Sequence, residues 1–444
     1  MQNKLIDIPE ENRLRKAEKG KGHPRIERAN RQQVEMRMAA LDSLVPEDHK
    51  VRIVWEMAQE YDLSELYGDI DAIEGEAGRP AIDPLILVAL WLYATTEGVG
   101  SARELARLCE EHIAYQWILG GVTVNYHTLA DYRVNHESEL DEILTETVAA
   151  LMSEGIVSLD RTAQDGIRVR ASAGGGSFRR EARLESFLIE AEKEVQGLKE
   201  GGENDAEVRN QRQRSAQKRA SEERLVRVKK SLEEIQKVKE TKTKSHKSKG
   251  KRKEARSSTT DPEARIMKMA DGGFRPAYNG QFSVDVGSGI VVGVDVTNQI
   301  DQGQMMPMLG QINQRYQRVP KEHLVDGGFV TNSDMEEAFK RNVQIYAPLP
   351  ETDPEKSDLH QPYKLETPIL QAWKKRMNSL QGKEIYKERA SSIEWVNALA
   401  RNRGLQQFVV RGKQKVKSTL LWFALVHNLW VLYRLRSVTA EGCI

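Results

Sequence analysis

The stretch FSVDVGSGIVVGVDV, residues 282–296, decides the fold. Its apolar and β-branched residues fall into two short runs, and Gly287, Ser288 and Gly289 separate them. That composition is a two-strand hairpin. Working downstream, residues 302–316 carry Met306, Met308, Leu309 and Ile312 at helical spacing, which predicts an amphipathic helix. HLVD, residues 323–326, reads as a short buried strand, 335–341 as a helix and VQIYAPL, 343–349, as another strand. A polar loop follows over 350–364, then a helix over 383–403 and a buried apolar helix over 420–435. Upstream, alternation around Val157, Leu159, Ile167 and Val169 predicts one more strand within 158–170. Hairpin, helix, strand, helix, strand, helix is an α/β order with mixed strand directions.

The remaining segments surround this core. Residues 1–40 form a basic arm rich in Arg and Lys, and residues 41–150 read as an all-helical domain. Pro46 and Pro84 suit first helical turns after Ser43 and Asp83. Ser101 with Glu104 has the form of a capping box. A helix from Ser101, a Gly120-Gly121 break and a second helix from NYHTLADYR, 125–133, resemble a helix-turn-helix, which suggests a DNA-binding role for this domain. Residues 178–257 interrupt the core, which divides it into 151–177 and 258–436. In that insertion Leu184, Leu188, Ala191, Val195 and Leu198 make one heptad stripe, and Leu225, Val228, Leu232 and Ile235 a second. They predict a charged helical hairpin, broken at 201–205, whose tail over 241–256 is almost purely basic. Such a tail binds polyanions or stays solvated.

Composition narrows the function classes. The net charge of the 444-residue chain is only +1, so the distribution of charge says more than its sum. Two cysteines, Cys109 and Cys443, exclude a disulfide framework and a cysteine-rich zinc site. That suits a reducing cytoplasm, and the polar N-terminus shows no signal peptide. The apolar run 420–435 is too short to span a bilayer and is interrupted by His427, Asn428 and Arg434, so no membrane partner is expected. His427 and Asn428 read as a satisfied buried pair. The histidines lack the H-E-x-x-H spacing of a zinc hydrolase, and Asp271-Gly272-Gly273 lacks the Lys and Ser/Thr of a phosphate loop, so no nucleotide energy is expected.

Three carboxylates stand in contexts that hold them rigidly. Asp165 lies in the first strand, Asp326 ends HLVD before Gly327 and Gly328, and Glu394 lies in the helix YKERASSIEWVNALARNR, residues 386–403. Ligands of open α/β sheets sit beyond the carboxyl ends of strands, and two glycines let a phosphate backbone come close. Three converging carboxylates suit a pair of hard divalent ions, Mg²⁺ or Mn²⁺, roughly 3.5–4 Å apart, able to run in-line phosphoryl chemistry on DNA. Asp160, Asp285 and Asp295 compete for the role of Asp165, and Glu384 and Glu388 for that of Glu394. Tyr386 and Arg401 share a helical face with Glu394 and could contact flanking phosphates, with core packing and a salt bridge as their alternatives. Lys268 and Arg275, before the hairpin, are further DNA-contact candidates.

Motifs in order along the chain then give a resemblance: LDSLVPEDHKVR, GRPAIDP and SARELARLCEEH, then AQDGIRVRASAG, STTDPEARIMKM, AYNGQFSVD and VDGGF, and finally YKERA and ARNRGL. The chain resembles a DDE transposase of a bacterial insertion sequence, in the family numbered eleven-eighty-two, with a ribonuclease-H-like mixed-sheet core. The resemblance implies that Asp165, Asp326 and Glu394 form the catalytic and metal-binding triad. Tyr386, Arg389, Glu394 and Arg401 would match a helix signature of Tyr, Arg, the catalytic Glu and a basic residue. Arg389 and Glu394 are five apart where the better-known signature has four, a step that turns a side chain about 100° on a regular helix. The insertion also departs from related enzymes, where it more often precedes the Glu helix. The implied activity is metal-dependent cleavage at transposon ends and strand transfer into target DNA. Its implied partners are double-stranded terminal inverted repeats and target DNA, with a homodimer in the DNA complex, in the bacterial cytoplasm at the nucleoid. A DNA nuclease without strand transfer, or a domesticated non-catalytic DNA-binding protein, are the alternatives.

Overall fold

The computed structural model describes residues 32, 38–68, 70, 72, 80–200, 208–244, 254–349 and 367–441. Most of the basic arm, the break at 201–205, the centre of the basic tail, the 350–364 loop and Cys443 lie outside the described residues. The chain is mixed α/β, with a helical N-terminal region and a curled mixed sheet.

The helical region runs α1 (Lys50–Gln59), α2 (Ser64–Gly68), α3 (Pro84–Thr96), α4 (Ala102–Glu111), α5 (Ile113–Leu119), α6 (Tyr126–Asn135) and α7 (Glu137–Ser153). Local chemistry sets these ends. Asp83 caps α3 by accepting from Leu85 N at 2.9 Å, with Pro84 in the first turn as expected. Ser101 Oγ accepts from Glu104 N at 3.4 Å, the first half of the capping box. Pro46 instead precedes its helix, because His49 Nδ1 supplies the cap of α1 by accepting from Val51 N at 3.1 Å. Gly120 and Gly121 adopt φ of 57° and 92° and break the chain before α6. Between α4 and that break the structure adds α5, capped by His112, so the expected helix pair is three helices. Asn125 starts α6 by accepting from His127 N and Thr128 N. Its buried face, Leu129, Tyr132 and Arg133, is turned inward, with Arg133 stacked over Trp91.

The core follows as β1 (Arg161–Arg170), β2 (Phe178–Arg179), α8 (Glu181–Glu200), α9 (Val208–Lys244), β3 (Ser257–Ser258), β4 (Arg265–Lys268), β5 (Phe274–Asp285), β6 (Val291–Thr297), α10 (Met305–Tyr316), β7 (Glu322–Leu324), α11 (Asn332–Lys340), β8 (Gln344–Tyr346), α12 (Pro368–Asn378), α13 (Leu380–Arg389), α14 (Trp395–Asn402) and α15 (Lys413–Glu441). The main sheet has the order β4–β5–β1–β7–β8, and β6 pairs with β5 beyond β4. β5 is antiparallel to β1, β4 and β6, whereas β1, β7 and β8 are parallel. β4 and α12 were not anticipated from the sequence. α8 and α9 pack as an antiparallel pair, and the two residues of β2 pair with those of β3 at its base.

A single apolar cluster runs through both the helical region and the sheet. α15 is the reason: it packs against β5 and β6 and also against α1, α3, α6 and α7. Side-chain amides seal the open edge of β6. Asn428 bonds both N and O of Val291, at 2.7 and 2.9 Å, and Gln311 does the same for Val294 at 3.0 and 2.9 Å. His427 Nε2 meets Gly289 O at 2.9 Å, so both members of the expected pair bond backbone, but the pair is not fully satisfied, since His427 Nδ1 is buried without a hydrogen-bond partner. No helix among the described residues is long and apolar enough to cross a membrane.

Candidate active site

Register places the first two carboxylates side by side. Thr162 of β1 pairs with His323 of the parallel β7. Three residues beyond that rung stand Asp165 and Asp326, so both project to the opposite face from Thr162 and His323. The rung itself is a buried polar network. Thr162 Oγ1 lies 2.8 Å from His323 Nδ1, and His323 Nε2 lies 3.2 Å from Gln164 Oε1. Gln164 Nε2 donates to Gln281 and to the carbonyl of Gln304, which leaves its oxygen to accept from His323 Nε2. Thr162 then donates to Nδ1. Burial pushes the His323 imidazole down to about 3, so it is neutral in the fold.

The two carboxylates are held differently. Asp326 is exposed; it caps the short turn Gly327–Phe329 by accepting from Gly327 N at 2.7 Å. Asp165 is largely covered. Its Oδ1 meets Arg389 Nη2 at 2.9 Å, and its Oδ2 accepts from Asn397 Nδ2 at 2.9 Å. Burial raises its carboxyl above the usual range; Arg389 opposes the shift, while Asp301 and Asp326 add to it. Gly166 has no room for a side chain, since an added Cβ would stand 2.1 Å from Asp301 Oδ1. Asp301 is fixed there by Asn279 and Gln281, which donate to Oδ1, and by Arg168, 3.2 Å from Oδ2.

Glu394 reaches the group through Arg389, whose Nη1 donates to Oε1 at 2.5 Å. On a regular helix the five-residue spacing separates these side chains. Here residues Ala390–Glu394 form a π turn between α13 and α14. A π turn closes i to i+5. It absorbs the extra residue, and Arg389 meets Glu394 as residues four apart do elsewhere. This corrects the expectation that the spacing sets their faces apart. The same helix brings Asn397, three residues past Glu394, onto Asp165. Arg161 fastens α13 to the sheet, with Nε 2.6 Å from Glu322 and Nη1 2.7 Å from Glu388.

Asp165, Asp326, Arg275 and Arg401 line one cleft of about 470 Å³, which also takes in Arg168, Arg170 and Asp301. Arg275 is tied to Asp271 at 2.8 Å. Tyr386 is half-buried: burial raises its hydroxyl, Arg389 lowers it, and Asp326, Glu394 and Asp165 each raise it further. Lys268 lies apart, on a neighbouring groove with Phe274 and Ile266. Of the competing acids, Asp160 pairs with Arg318 and Lys321, Asp285 caps the hairpin turn and Leu159 N, and Glu384 pairs with Lys387. Among the described residues no three His, Cys, Asp or Glu side chains are gathered closely enough to hold a metal ion; the guanidinium of Arg389 stands between two of the carboxylates. The sequence reading missed Asn397, Arg168, Arg170 and Asp301. Only Asn397 carried a signal, its helical i,i+3 spacing from Glu394.

Known proteins bear on this arrangement in two places. Residues 39–135 match the model of a family described as Transposase domain (DUF772), a span that ends with α6. Residues 358–433 match the family Transposase DDE domain, a span that holds Tyr386, Arg389, Glu394, Asn397 and Arg401. No curated protein and no solved structure matches the chain. The two matches indicate a transposase function and support a DDE-type transposase.

Proposed function

We propose that the chain cuts DNA at the ends of a mobile element and joins those ends to target DNA, with Asp165, Asp326 and Glu394 as the catalytic carboxylates. The observation that carries this reading is that Asp165 of β1 and Asp326, just past the parallel β7, line one cleft, with Glu394 joined to Asp165 through Arg389. The sheet order supports a ribonuclease-H-like core: an antiparallel β6–β5–β1 continued by parallel β7 and β8. The motifs quoted above support placement in the eleven-eighty-two family of insertion sequences.

The family implies divalent metal dependence, and the donor chemistry suits it, although the three carboxylates as arranged here are not gathered closely enough to hold an ion. The donors are carboxylate oxygens, which suit Mg²⁺ or Mn²⁺, and a cation in the form of Arg389 already sits between two of them. When bound, two such ions supply an activated water and neutralise charge on the leaving 3′ oxygen. The protein supplies position. Asn397 holds one oxygen of Asp165, and the turn at Gly327 orients Asp326. Arg168, Arg170, Arg275 and Arg401 set guanidinium groups around the carboxylates, where they can grip the phosphates flanking a scissile bond. Tyr386 and Arg389 complete the phosphate contacts, and Lys268 continues them on the adjoining groove. No covalent protein–DNA link is needed, because the freed 3′ hydroxyl is itself the nucleophile. Two ends must be held together, so the working unit is a dimer on double-stranded DNA, with the helical region reading the terminal repeats.

The test is strand transfer. With Mg²⁺ and pre-cleaved DNA carrying the inverted repeats that flank its gene, the protein joins the 3′ ends to a target plasmid. A protein that nicks this DNA but never joins it is a nuclease, and the transposase reading falls.

A further inference from the structure

Asp165 is gripped by two donors of different chemistry from one helix. Asn397 is a neutral amide, and the oxygen that accepts from it keeps its charge and its remaining lone pairs for a cation. Arg389 is itself a cation, and a divalent ion competes with it for the same carboxylate charge. Both side chains are buried. Arg389 is committed to the carboxylates by its terminal nitrogens alone: Nη2 to Asp165 and Nη1 to Glu394, while its buried Nε has no hydrogen-bond partner. Both carboxylates take their counter-charge from this one guanidinium, and the π turn is what brings it to both.

We propose that Arg389 is an exchangeable internal counter-ion and Asn397 a permanent positioning residue: a divalent cation entering between Asp165 and Glu394 displaces the guanidinium, and Asn397 keeps Asp165 in place throughout. This rests on the reading that these carboxylates take divalent ions. The displaced guanidinium stays tethered next to Asp165, which lines the cleft, and a DNA phosphate entering there offers it a new partner. Arg389 therefore opposes metal binding to the protein alone, while Asn397 favours it.

The experiment is calorimetric titration of the full chain with Mn²⁺ alone, without DNA. Arg389→Met binds Mn²⁺ at least about tenfold more tightly than wild type, the scale of one lost charge-assisted contact. Asn397→Ala binds about tenfold more weakly. Arg389→Lys falls between Arg389→Met and wild type, because one ammonium cannot span both carboxylates. Opposite signs for two contacts to one carboxylate are what a merely structural role does not give. The proposal is overturned if Arg389→Met, folded by circular dichroism, binds Mn²⁺ no more tightly than wild type or not at all, or if both variants shift the same way. DNA cleavage by wild type with Mn²⁺ separates the two claims. A wild type that cleaves while Arg389→Met fails to tighten sinks the counter-ion alone; a wild type that neither binds Mn²⁺ nor cleaves sinks the functional reading as well.

Discussion

Asp165 and Asp326 stand three residues past the same paired rung of two parallel strands, yet their surroundings are opposite. Asp165 lies within a ten-residue strand, is mostly covered, and has both oxygens engaged by side chains of one helix. Asp326 lies past a three-residue strand, is exposed, and accepts one bond from the next residue's amide. The first is preorganised at a cost in desolvation; the second is open to whatever enters the cleft. A catalytic group held rigidly and paired with an accessible one is a sound division of labour, since only part of a site need be strained for the whole to be positioned.

The largest effect expected separates activity from stability. Asp165→Asn and Asp326→Asn each lower strand cleavage by about a thousandfold or more, because each removes charge that has no substitute. Their thermal midpoints differ. The folded carboxyl of Asp165 titrates above its unfolded value, so its contribution to stability is full below the unfolded value of 3.8 and is lost as pH rises through the raised one. Wild type therefore loses stability as pH rises through the carboxylate range, and Asp165→Asn, which has no proton to release there, lacks that loss. Asp326→Asn leaves the midpoint near that of wild type. Calorimetric scans at several pH values check this, and an Asp165→Asn variant whose midpoint follows pH as wild type's does would overturn it.

A smaller effect tests the glycines that follow the two acids. Gly166→Ala drives a methyl into Asp301, Asn279 and Gln281, and costs about 2 kcal/mol through overpacking. Gly328→Ala meets nothing within 4 Å and leaves stability within about 0.5 kcal/mol. Urea unfolding of the two variants gives the difference. Equal losses would mean that the floor beneath Asp165 is no tighter than the rim beside Asp326.

Periodicity carried most of the fold. The hairpin, β1, β7, β8, α10, α11 and the long helices of the insertion were legible because their apolar residues repeat at two or at about 3.6. α5 was hidden by its shortness and by a cap from His112, which is not a common capping residue. β4 is four residues with one buried side chain, Met267, beside an exposed Ile266, too little for a period to show. At the site, the sequence placed Asp165 in a strand, Asp326 after one and Glu394 on a helix, and the structure has them on those elements. The π turn was not legible, because ASSIE looks like any helical run; its role shows only once Asp165 is seen to need a partner on the same face as Glu394. Asp301 was illegible for a related reason: what marks it is Gly166, far away in sequence and with no side chain of its own.

The most direct measurement of the central claim, that Asp165, Asp326 and Glu394 share a metal site, is localised radical cleavage. Fe²⁺ replaces Mg²⁺ in the purified chain, and ascorbate with peroxide generates hydroxyl radicals that cut the backbone nearest the bound ion. A shared site gives cuts beside residues 165, 326 and 394 together, suppressed by excess Mg²⁺ and lost in Asp165→Asn. Cuts that cluster elsewhere, or that spare the helix of Glu394 while striking the two strands, would contradict it.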